Sequence, residues 1–267
     1  MSPRLDVELV RRGLARSRAH AGELVRAGRV SVAGVGVHKG AHCVLEDTDI
    51  EVAGDSAVWV GRAAYKLLGA IATFGPRGLT VAGRRALDVG ASTGGFTQVL
   101  LSHGAAHVTA LDVGHGQLAP ALATDPRVTE CSGTNIRDVT VEQLGGPFDL
   151  VVADLSFISL RLVMPVLAAL TDPAGDLVVL VKPQFEVGRE RLGKGGIVRH
   201  DADRLAALRA VLDAAVSAGL GVCDLARSSI RGAAGNWEYL GWLAPRLHDR
   251  AEDGTLERLI AGMEAPS

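Results

Sequence analysis

Two kinds of hydrophobic pattern follow one another along the chain, and the change falls near residue 60. Before that point, apolar residues at helical spacing predict two short helices, over Val7–Arg12 and Ala19–Ala27. Alternating apolar and polar residues then predict two strands, over Val30–Val32 and Ile50–Val52. These elements indicate a small α+β domain formed by residues 1–53.

Beyond residue 63, helical and strand patterns alternate. The predicted helices are Ala63–Phe74, Gly95–His103 and Ala202–Ala218. The predicted strands are Ala86–Gly90, Val108–Val113, Val128–Cys131, Phe148–Ala153, Leu177–Lys182, Val222–Ser228 and Trp237–Leu243. Such alternation predicts a parallel sheet covered by helices on both faces. We therefore expect an α/β domain over residues 63–267, joined to the first domain by a linker of residues 54–62.

The charge of the chain is divided unevenly between these two domains. Although the 267 residues have a formal net charge of -2, residues 1–42 hold eight Lys and Arg against three acidic residues. A basic segment before an acidic remainder suggests that the first domain meets a polyanion. The face that contacts phosphates is expected to consist of Arg4, Arg11, Arg12, Arg16, Arg18, Arg26 and Arg29. Without aromatic residues for stacking in this segment, structured RNA is the favoured partner.

Cysteine usage and hydropathy restrict the class of protein. The three cysteines are scattered and form no C-x-x-C pair, so we expect neither a disulfide framework nor a metal site, and a reducing cytoplasm fits. The first twenty residues lack the apolar run of a signal peptide. No apolar run approaches the roughly 18 residues that a spanning helix needs, so no membrane partner is expected.

The strongest local motif is the segment Asp88–Thr97, in which a strand runs into a glycine turn and then a helix. Such a turn lets a ligand approach the backbone, and the helix N-terminus adds amide donors. The dinucleotide fingerprint fails because position 92 is Ser, whereas the spacing G-x-x-x-G-G resembles the turn that binds S-adenosylmethionine. Asp112 ends the next strand, where a carboxylate can bind both ribose hydroxyls. Asn135 lies in a third turn that could hold the adenine amine.

Charged residues stand at the ends of three further strands, where an apolar sheet would not otherwise place them. Asp154 and Lys182 end two strands, and Glu238 lies at the start of the last one. A charge at such a margin is costly unless it is paired. Together with Lys66 on the first helix of the domain, these residues are candidates for a catalytic constellation.

The chain resembles the TlyA (haemolysin A) family of rRNA 2′-O-methyltransferases, which is related to the FtsJ-type RNA ribose methyltransferases. The matching stretches are Arg4-Leu-Asp6, Gly13-Leu-Ala-Arg-Ser-Arg18, Ala27-Gly-Arg-Val30, Asp88–Thr97, Val152-Ala-Asp-Leu-Ser-Phe-Ile-Ser159, Val181-Lys-Pro-Gln-Phe-Glu186 and Gly235-Asn-Trp-Glu-Tyr239. The first domain also resembles a small RNA-binding module shared with a ribosomal protein, pseudouridine synthases and tyrosyl-tRNA synthetases. The resemblance implies a Rossmann-like class I methyltransferase sheet and methylation of cytidine ribose in ribosomal RNA of either subunit.

The resemblance also implies roles for individual residues. The family's Lys-Asp-Lys-Glu tetrad falls on Lys66, Asp154, Lys182 and Glu238, with Lys182 activating the 2′-hydroxyl directly or through its charge. The residues that would bind S-adenosylmethionine are Gly90, Ala91, Ser92, Thr93, Gly94, Gly95, Phe96, Asp112, Asn135 and Asp154.

Three alternative functions remain open at this stage. A methyltransferase acting on a base or small molecule is disfavoured because Asp154-Leu-Ser-Phe157 lacks the Pro-Pro of exocyclic-amine methyltransferases. The complete tetrad argues against the second alternative, an RNA-binding protein with a vestigial cofactor site. A membrane-lytic protein, as the family name suggests, is opposed by the lack of a cationic amphipathic helix of clear type. The pattern leaves the oligomeric state and the modified nucleotide open.

Overall fold

The computed structural model describes residues 3–12, 14–15, 17–45, 48–53, 59–245 and 255–263. Its contacts divide the chain into two compact units, Met1–Val60 and Gly61–Ser267. Residues 54–58 of the expected linker lie outside the described residues. The expected domain limits, 1–53 and 63–267, therefore remain predictions.

The first unit has two helices and a small antiparallel sheet. Its helices are α1 (Leu5–Arg11) and α2 (Arg18–Arg26), and its strands are β1 (Val30–Val32), β2 (Val35–Gly36) and β3 (Ile50–Val52), with β1 in the centre. Leu5, Leu9 and Val25 are fully buried in a core to which both the helices and the strands contribute. The Ser17 hydroxyl accepts a hydrogen bond from the His20 amide at 3.2 Å and caps α2. The predicted α+β class of this unit is confirmed.

A seven-stranded sheet forms the centre of the second unit. Its strands are β4 (Arg85–Val89), β5 (His107–Asp112), β6 (Val128–Ser132), β7 (Phe148–Ala153), β8 (Thr171–Val181), β9 (Gly221–Arg227) and β10 (Tyr239–Ala244). Their order across the sheet is β6-β5-β4-β7-β8-β10-β9. The chain therefore starts the sheet at β4 in its middle, builds outward to β6, and returns to build the other half. The predicted α/β class is confirmed.

Helices cover both faces of this sheet. They are α3 (Ala63–Phe74), α4 (Gly95–Ser102), α5 (Pro120–Ala123), α6 (Val141–Leu144), α7 (Leu160–Leu170), α8 (Pro183–Glu186), α9 (Asp201–Ser217) and α10 (Thr255–Ala261). The helices α7 and α9 pack on one face, where Met164 and Leu208 join the core formed by Val89 and Val151. The helices α3 and α4 pack against each other and contact strands of the sheet.

The prediction of an entirely parallel sheet is wrong at the last strand. The strand β10 runs antiparallel to both of its neighbours, β8 and β9. The physical reason is the short connection of residues 228–238 between β9 and β10. A parallel return needs a crossover of about a dozen residues or more, usually with a helix, whereas a short loop joins antiparallel strands. This reversal decides where Glu238 lies.

Candidate functional site

The charged residues singled out in the sequence lie at one edge of the sheet. Asp154 follows β7 and Lys182 follows β8, and these two strands are parallel neighbours whose carboxyl ends meet there. Because β10 is antiparallel to β8, its start lies at the same edge, with Tyr239 opposite Val181. Glu238, which precedes β10, and Lys182, which follows β8, therefore lie at the same edge of the sheet, although the two strands run in opposite directions.

The four side chains of the tetrad form one network of alternating charge. The ammonium of Lys182 lies 2.6 Å from Oδ1 of Asp154. The ammonium of Lys66, in the first half of α3, lies 3.6 Å from Oδ2 of the same carboxylate and 2.8 Å from Oε2 of Glu238. Lys182 also donates a hydrogen bond to the Ser156 hydroxyl at 2.9 Å. Each cation contacts a carboxylate, so the cluster holds two positive and two negative charges.

Burial makes this pairing necessary. Lys66 and Lys182 are each 8% exposed, and Glu238 is 2% exposed. A buried charge without a partner costs several kcal/mol, about 3–5 kcal/mol when one member of a buried pair is removed. The loop before β10 encloses Glu238 so closely that a Cβ atom on Gly232 would collide with Oε1, which leaves only glycine there without displacement. The loop thus packs closely against the carboxylate of Glu238.

A cleft of about 430 Å³ opens next to the network. Its lining includes five residues predicted to bind the cofactor: Gly90, Ser92, Asp112, Asn135 and Asp154. Asp154 thus belongs to both the cleft and the charge network. Of the other predicted cofactor residues, Ala91, Gly94, Gly95 and Phe96 are buried, Thr93 is exposed, and none of these five lines this cleft.

The backbone of the glycine turn approaches the next strand end very closely. Gly90 has φ +87°, and a Cβ atom at this position would lie 2.6 Å from the carbonyl oxygen of Asp154. Such an approach is closer than any side chain can tolerate, so only glycine fits here. The turn and the Asp154 strand end are therefore fixed to each other, and they form one wall of the cleft.

Asp112 and Asn135 already have defined hydrogen bonds in the structure. Asp112 accepts from the Ser92 amide through Oδ2 at 2.8 Å and from the Gly114 amide through Oδ1 at 2.7 Å. Asn135 accepts from the Arg137 amide at 3.1 Å. Each oxygen has a second lone pair, and the Asn135 amide nitrogen is a donor. The two side chains are held in place by the backbone and keep hydrogen-bonding capacity for a ligand.

Two residues at this edge were not identified from the sequence. Asp88 is fully buried, and burial raises its pKa to about 7, partly offset by a 2.7 Å hydrogen bond from the Thr97 hydroxyl. Phe157 is 92% exposed and has φ +63°, with its ring 5.3 Å from that of Phe185. The sequence contains a signal for each residue. For Asp88 it is a carboxylate inside an apolar strand, and for Phe157 it is an aromatic residue directly after a polar strand end. Strain of this kind in a non-glycine residue is concentrated at functional sites.

In the first unit, one buried acid holds two of the predicted RNA-binding arginines. Glu8 accepts from Arg11 at 2.6 Å and from Arg12 at 2.7 Å. These guanidinium groups lower the pKa of Glu8 to about 2, with Arg11 having the larger effect. Arg12 also donates to the Thr48 carbonyl at 2.7 Å, and its side chain is 21% exposed against 55% for Arg11. Arg12 is therefore a structural residue in large part, and Arg16 lies outside the described residues.

The remaining predicted arginines are more accessible. Asp6 pairs with Arg4 at 3.0 Å and with Arg18 at 3.2 Å, and both guanidinium groups stay exposed. Arg29 donates to the Ala53 carbonyl at 2.8 Å and is half-buried. Arg26 is exposed, and no described carboxylate forms an ion pair with it. The acids orient part of the basic surface while they reduce its net charge.

Within the described ranges, no group of three or more His, Cys, Asp or Glu residues is arranged to hold a metal ion. Over the same part of the chain, no helix has the length and apolar character needed to cross a membrane.

Two protein families match the chain in the order of its two units. The S4 domain matches residues 3–40, and the FtsJ-like methyltransferase family matches residues 59–244. The second match covers more than half of the chain and includes both the glycine turn and all four members of the charge network.

Relatives of known description match nearly the full length. A Mycobacterium tuberculosis protein described as 16S/23S rRNA (cytidine-2′-O)-methyltransferase TlyA is 50% identical, over 93% of this chain and 91% of its own length. Hemolysin A of Brachyspira hyodysenteriae is 39% identical, over 89% of this chain and 98% of its own length. A solved structure from Streptococcus thermophilus, described as a hemolysin, is 36% identical with a TM-score of 0.70, covering 98% of this chain and 95% of that one. The chain therefore belongs to the FtsJ-like methyltransferase family and, within it, to the TlyA proteins.

Proposed function

We propose that the protein transfers a methyl group from S-adenosylmethionine to the 2′-hydroxyl of a cytidine in ribosomal RNA. The observation that carries this proposal is the buried Lys-Asp-Lys-Glu network beside the cleft of the glycine turn. The names of two relatives support it, since the Mycobacterium tuberculosis and Campylobacter jejuni proteins are described as rRNA (cytidine-2′-O)-methyltransferases. A protein that acts on ribosomal RNA is expected in the cytoplasm.

The cofactor fits the residues that line the cleft. The glycine turn offers a backbone surface without side chains at Gly90, and Asp112 and Asn135 provide polar groups for a ribose and a base. The volume of about 430 Å³ lies within the usual range of small-molecule sites. When bound, S-adenosylmethionine supplies an electrophilic methyl group on a sulfonium.

The charge network serves the nucleophile. A ribose hydroxyl must lose its proton as its oxygen forms the new bond, and a nearby cation or base assists this step. Lys182 is the group that activates the hydroxyl, because its ammonium is held between Asp154 and Ser156 at the margin of the cleft. Lys66 holds Asp154 from the other side, and Glu238 in turn positions Lys66, so that Asp154 stays oriented toward Lys182. Which of these groups carries a given proton is a property of the coupled set.

The RNA is held at two places under this proposal. The small domain of residues 1–53 binds phosphates through its exposed arginines, among them Arg18 and Arg26. At the cleft, the exposed ring of Phe157 provides a stacking surface for a base that leaves its helix. Among the aromatic contacts of the described residues, the Phe157 ring contacts only one neighbouring ring, that of Phe185, and apolar surface that is so largely exposed on a strained backbone favours a function in binding.

The chemical outcome can be tested directly on ribosomal RNA. Isolated subunits are incubated with the protein and S-adenosylmethionine, and the RNA is then hydrolysed in alkali. A 2′-O-methyl group protects the adjacent phosphodiester from hydrolysis, so we expect a gap in the ladder at a cytidine. Methyl incorporation without protection would indicate base methylation. Absence of incorporation despite RNA binding would support the RNA-binding alternative with a vestigial site.

Stacking on Phe157 can be tested in the same assay. A base–aromatic stack contributes about 1–3 kcal/mol by alanine substitution, so Phe157→Ala is expected to raise the KM for RNA by about fivefold to a hundredfold. Leu162→Ala is the matched control, because Leu162 is also a large exposed apolar residue at 65% exposure. If both variants keep the KM of the wild-type protein, Phe157 does not bind the base.

A further inference from the structure

Two arginines lie against one tryptophan next to the catalytic network, and a third contacts the backbone of one of them. The guanidinium of Arg231 lies 4.1 Å from the centre of the Trp237 ring, and that of Arg227 lies 5.7 Å from it. Arg62 donates a hydrogen bond to the Arg231 carbonyl at 3.3 Å. We refer to Arg62, Arg227 and Arg231 with Trp237 as the arginine cluster.

The cluster is attached to the residues that carry the chemistry. Trp237 directly precedes Glu238, and Arg62 precedes Lys66 by one helical turn, so they lie on the same side of α3. The loop of residues 228–238 is fixed on the start of α3 by a second bond, from the Ser229 hydroxyl to the Tyr65 carbonyl at 2.8 Å. The arginine cluster and the Lys66–Glu238 pair are thus parts of one packed structure.

The charges of the cluster are not balanced by the protein within the described residues. None of its three guanidinium groups forms an ion pair with a described carboxylate, and the adjacent carboxylate of Glu238 is buried against Lys66. The guanidinium groups of Arg227 and Arg231 both lie against the Trp237 ring, and the attraction of the ring offsets the repulsion between these two positive charges only in part. Arg231 and Arg62 are exposed, so an anion from solution can reach them.

We propose that the arginine cluster binds a backbone phosphate of the RNA strand that carries the target nucleotide. This inference rests on the proposed function and assigns a phosphate site to the catalytic unit, separate from the basic surface of the small domain. A guanidinium presents a planar pair of donors that matches two phosphate oxygens, and stacking on an indole ring holds that plane in a fixed orientation. A phosphate held beside Lys66 and Glu238 fixes the register of the strand, so that one ribose faces Lys182.

The test measures the affinity of the full-length protein for an rRNA fragment over a series of salt concentrations. Removal of one phosphate-binding charge reduces the slope of log affinity against log salt by about 0.7–0.9. Arg231→Gln and Arg227→Gln are each expected to reduce the slope by about this amount and the affinity by roughly tenfold. Arg231→Lys is expected to keep the slope with lower affinity, because an ammonium keeps the charge but lacks the planar fork.

The control removes the same charge from the opposite edge of the sheet. Arg127 precedes β6 at the amino edge, where it pairs with Asp125 at 2.7 Å, and Arg127→Gln is expected to leave slope and affinity unchanged. Unchanged S-adenosylmethionine affinity in all variants would show that they are folded. Wild-type slopes in both Arg231→Gln and Arg227→Gln would overturn the phosphate site alone. Absence of methyl transfer by the wild-type protein would instead overturn the proposed function.

Discussion

The amine of Lys182 contacts two oxygen atoms, and these contacts define what the residue can do. Its contacts with Asp154 at 2.6 Å and Ser156 at 2.9 Å fix the nitrogen at the cleft without consuming all of its three hydrogens. The nitrogen can therefore donate to a ribose oxygen or, once deprotonated, accept from it. Two lysines and two carboxylates share the charge, so removal of one cation leaves an uncompensated carboxylate in a buried place.

Substitution of Lys182 separates these two roles. Lys182→Ala is expected to lower the methyl-transfer rate by about 10²–10⁴-fold, the usual contribution of a general acid or base, with RNA and cofactor affinities little changed. Lys182→Arg keeps the charge but does not release its proton near neutral pH. Single-turnover rates at saturating RNA measure both variants. Full activity of Lys182→Arg would show that the residue acts as a fixed positive charge, and full activity of Lys182→Ala would remove it from the mechanism.

At the scale of elements, most of the strands and their parallel order were predictable, whereas the direction of β10 was not. The apolar runs predict the observed limits of β7, and they predict the limits of the other expected strands to within a few residues. The exception is β8, which begins at Thr171 rather than at the predicted Leu177. The direction of β10 depends on the length of one connection, which a strand pattern does not contain. Helix α7 was missed because its sequence Leu160–Leu170 is almost continuously apolar and includes Pro165, which hides the helical period.

The same limit applies to the candidate site. The strand ends that carry Asp154, Lys182 and Glu238 could be found from their charge alone, because a charge there is unexpected in an apolar context. The exposed ring and the strained backbone of Phe157 could not be predicted in this way. They depend on its packing against Phe185, which no local sequence pattern contains. The arginine cluster likewise joins residues about 170 positions apart in the chain.

The close approach of the glycine turn to the β7 end predicts an effect of one added methyl group. In Gly90→Ala, the new Cβ would lie 2.6 Å from the Asp154 carbonyl oxygen, so the turn or the strand end must move. We expect weaker S-adenosylmethionine binding and slower methyl transfer, together with a loss of unfolding free energy above the roughly 1–3 kcal/mol of backbone strain. Calorimetry and denaturant unfolding measure these quantities.

Gly83→Ala is the matched control for this prediction. Gly83 also has a positive φ, +75°, but no atom lies within 4 Å of the Cβ position, and the residue precedes β4 at the far edge of the sheet. It should therefore show the strain cost alone, with normal cofactor affinity. Equal cofactor affinity in both variants would mean that the close approach at Gly90 has no part in forming the cleft.

At the scale of the whole molecule, the first unit depends on buried acids that orient basic residues, and this makes its stability depend on pH. The pKa of Glu8 is about 2 in the folded chain, below its ordinary value of 4.5, chiefly because of the Arg11 guanidinium. A carboxyl with a lowered pKa stabilises the fold fully above its ordinary pKa and loses that contribution as pH falls toward the folded value. The protection of the α1 amides against hydrogen exchange, measured relative to the unfolded chain at the same pH, should therefore fall between about pH 4.5 and 2, and Glu8→Gln should show weaker protection already at neutral pH with a flatter profile.

The arginines of the first unit are expected to divide into RNA-binding and structural residues. Arg26→Gln removes an exposed charge without a described carboxylate partner, so it should weaken RNA binding and lower its salt dependence while unfolding stays unchanged. Arg12→Gln breaks bonds to Glu8 and to the Thr48 carbonyl, so it should destabilise the unit first. Titration of RNA at several salt concentrations and thermal unfolding distinguish the two effects. Equal losses of RNA affinity without destabilisation would show that the burial of Arg12 does not remove it from the RNA-binding surface.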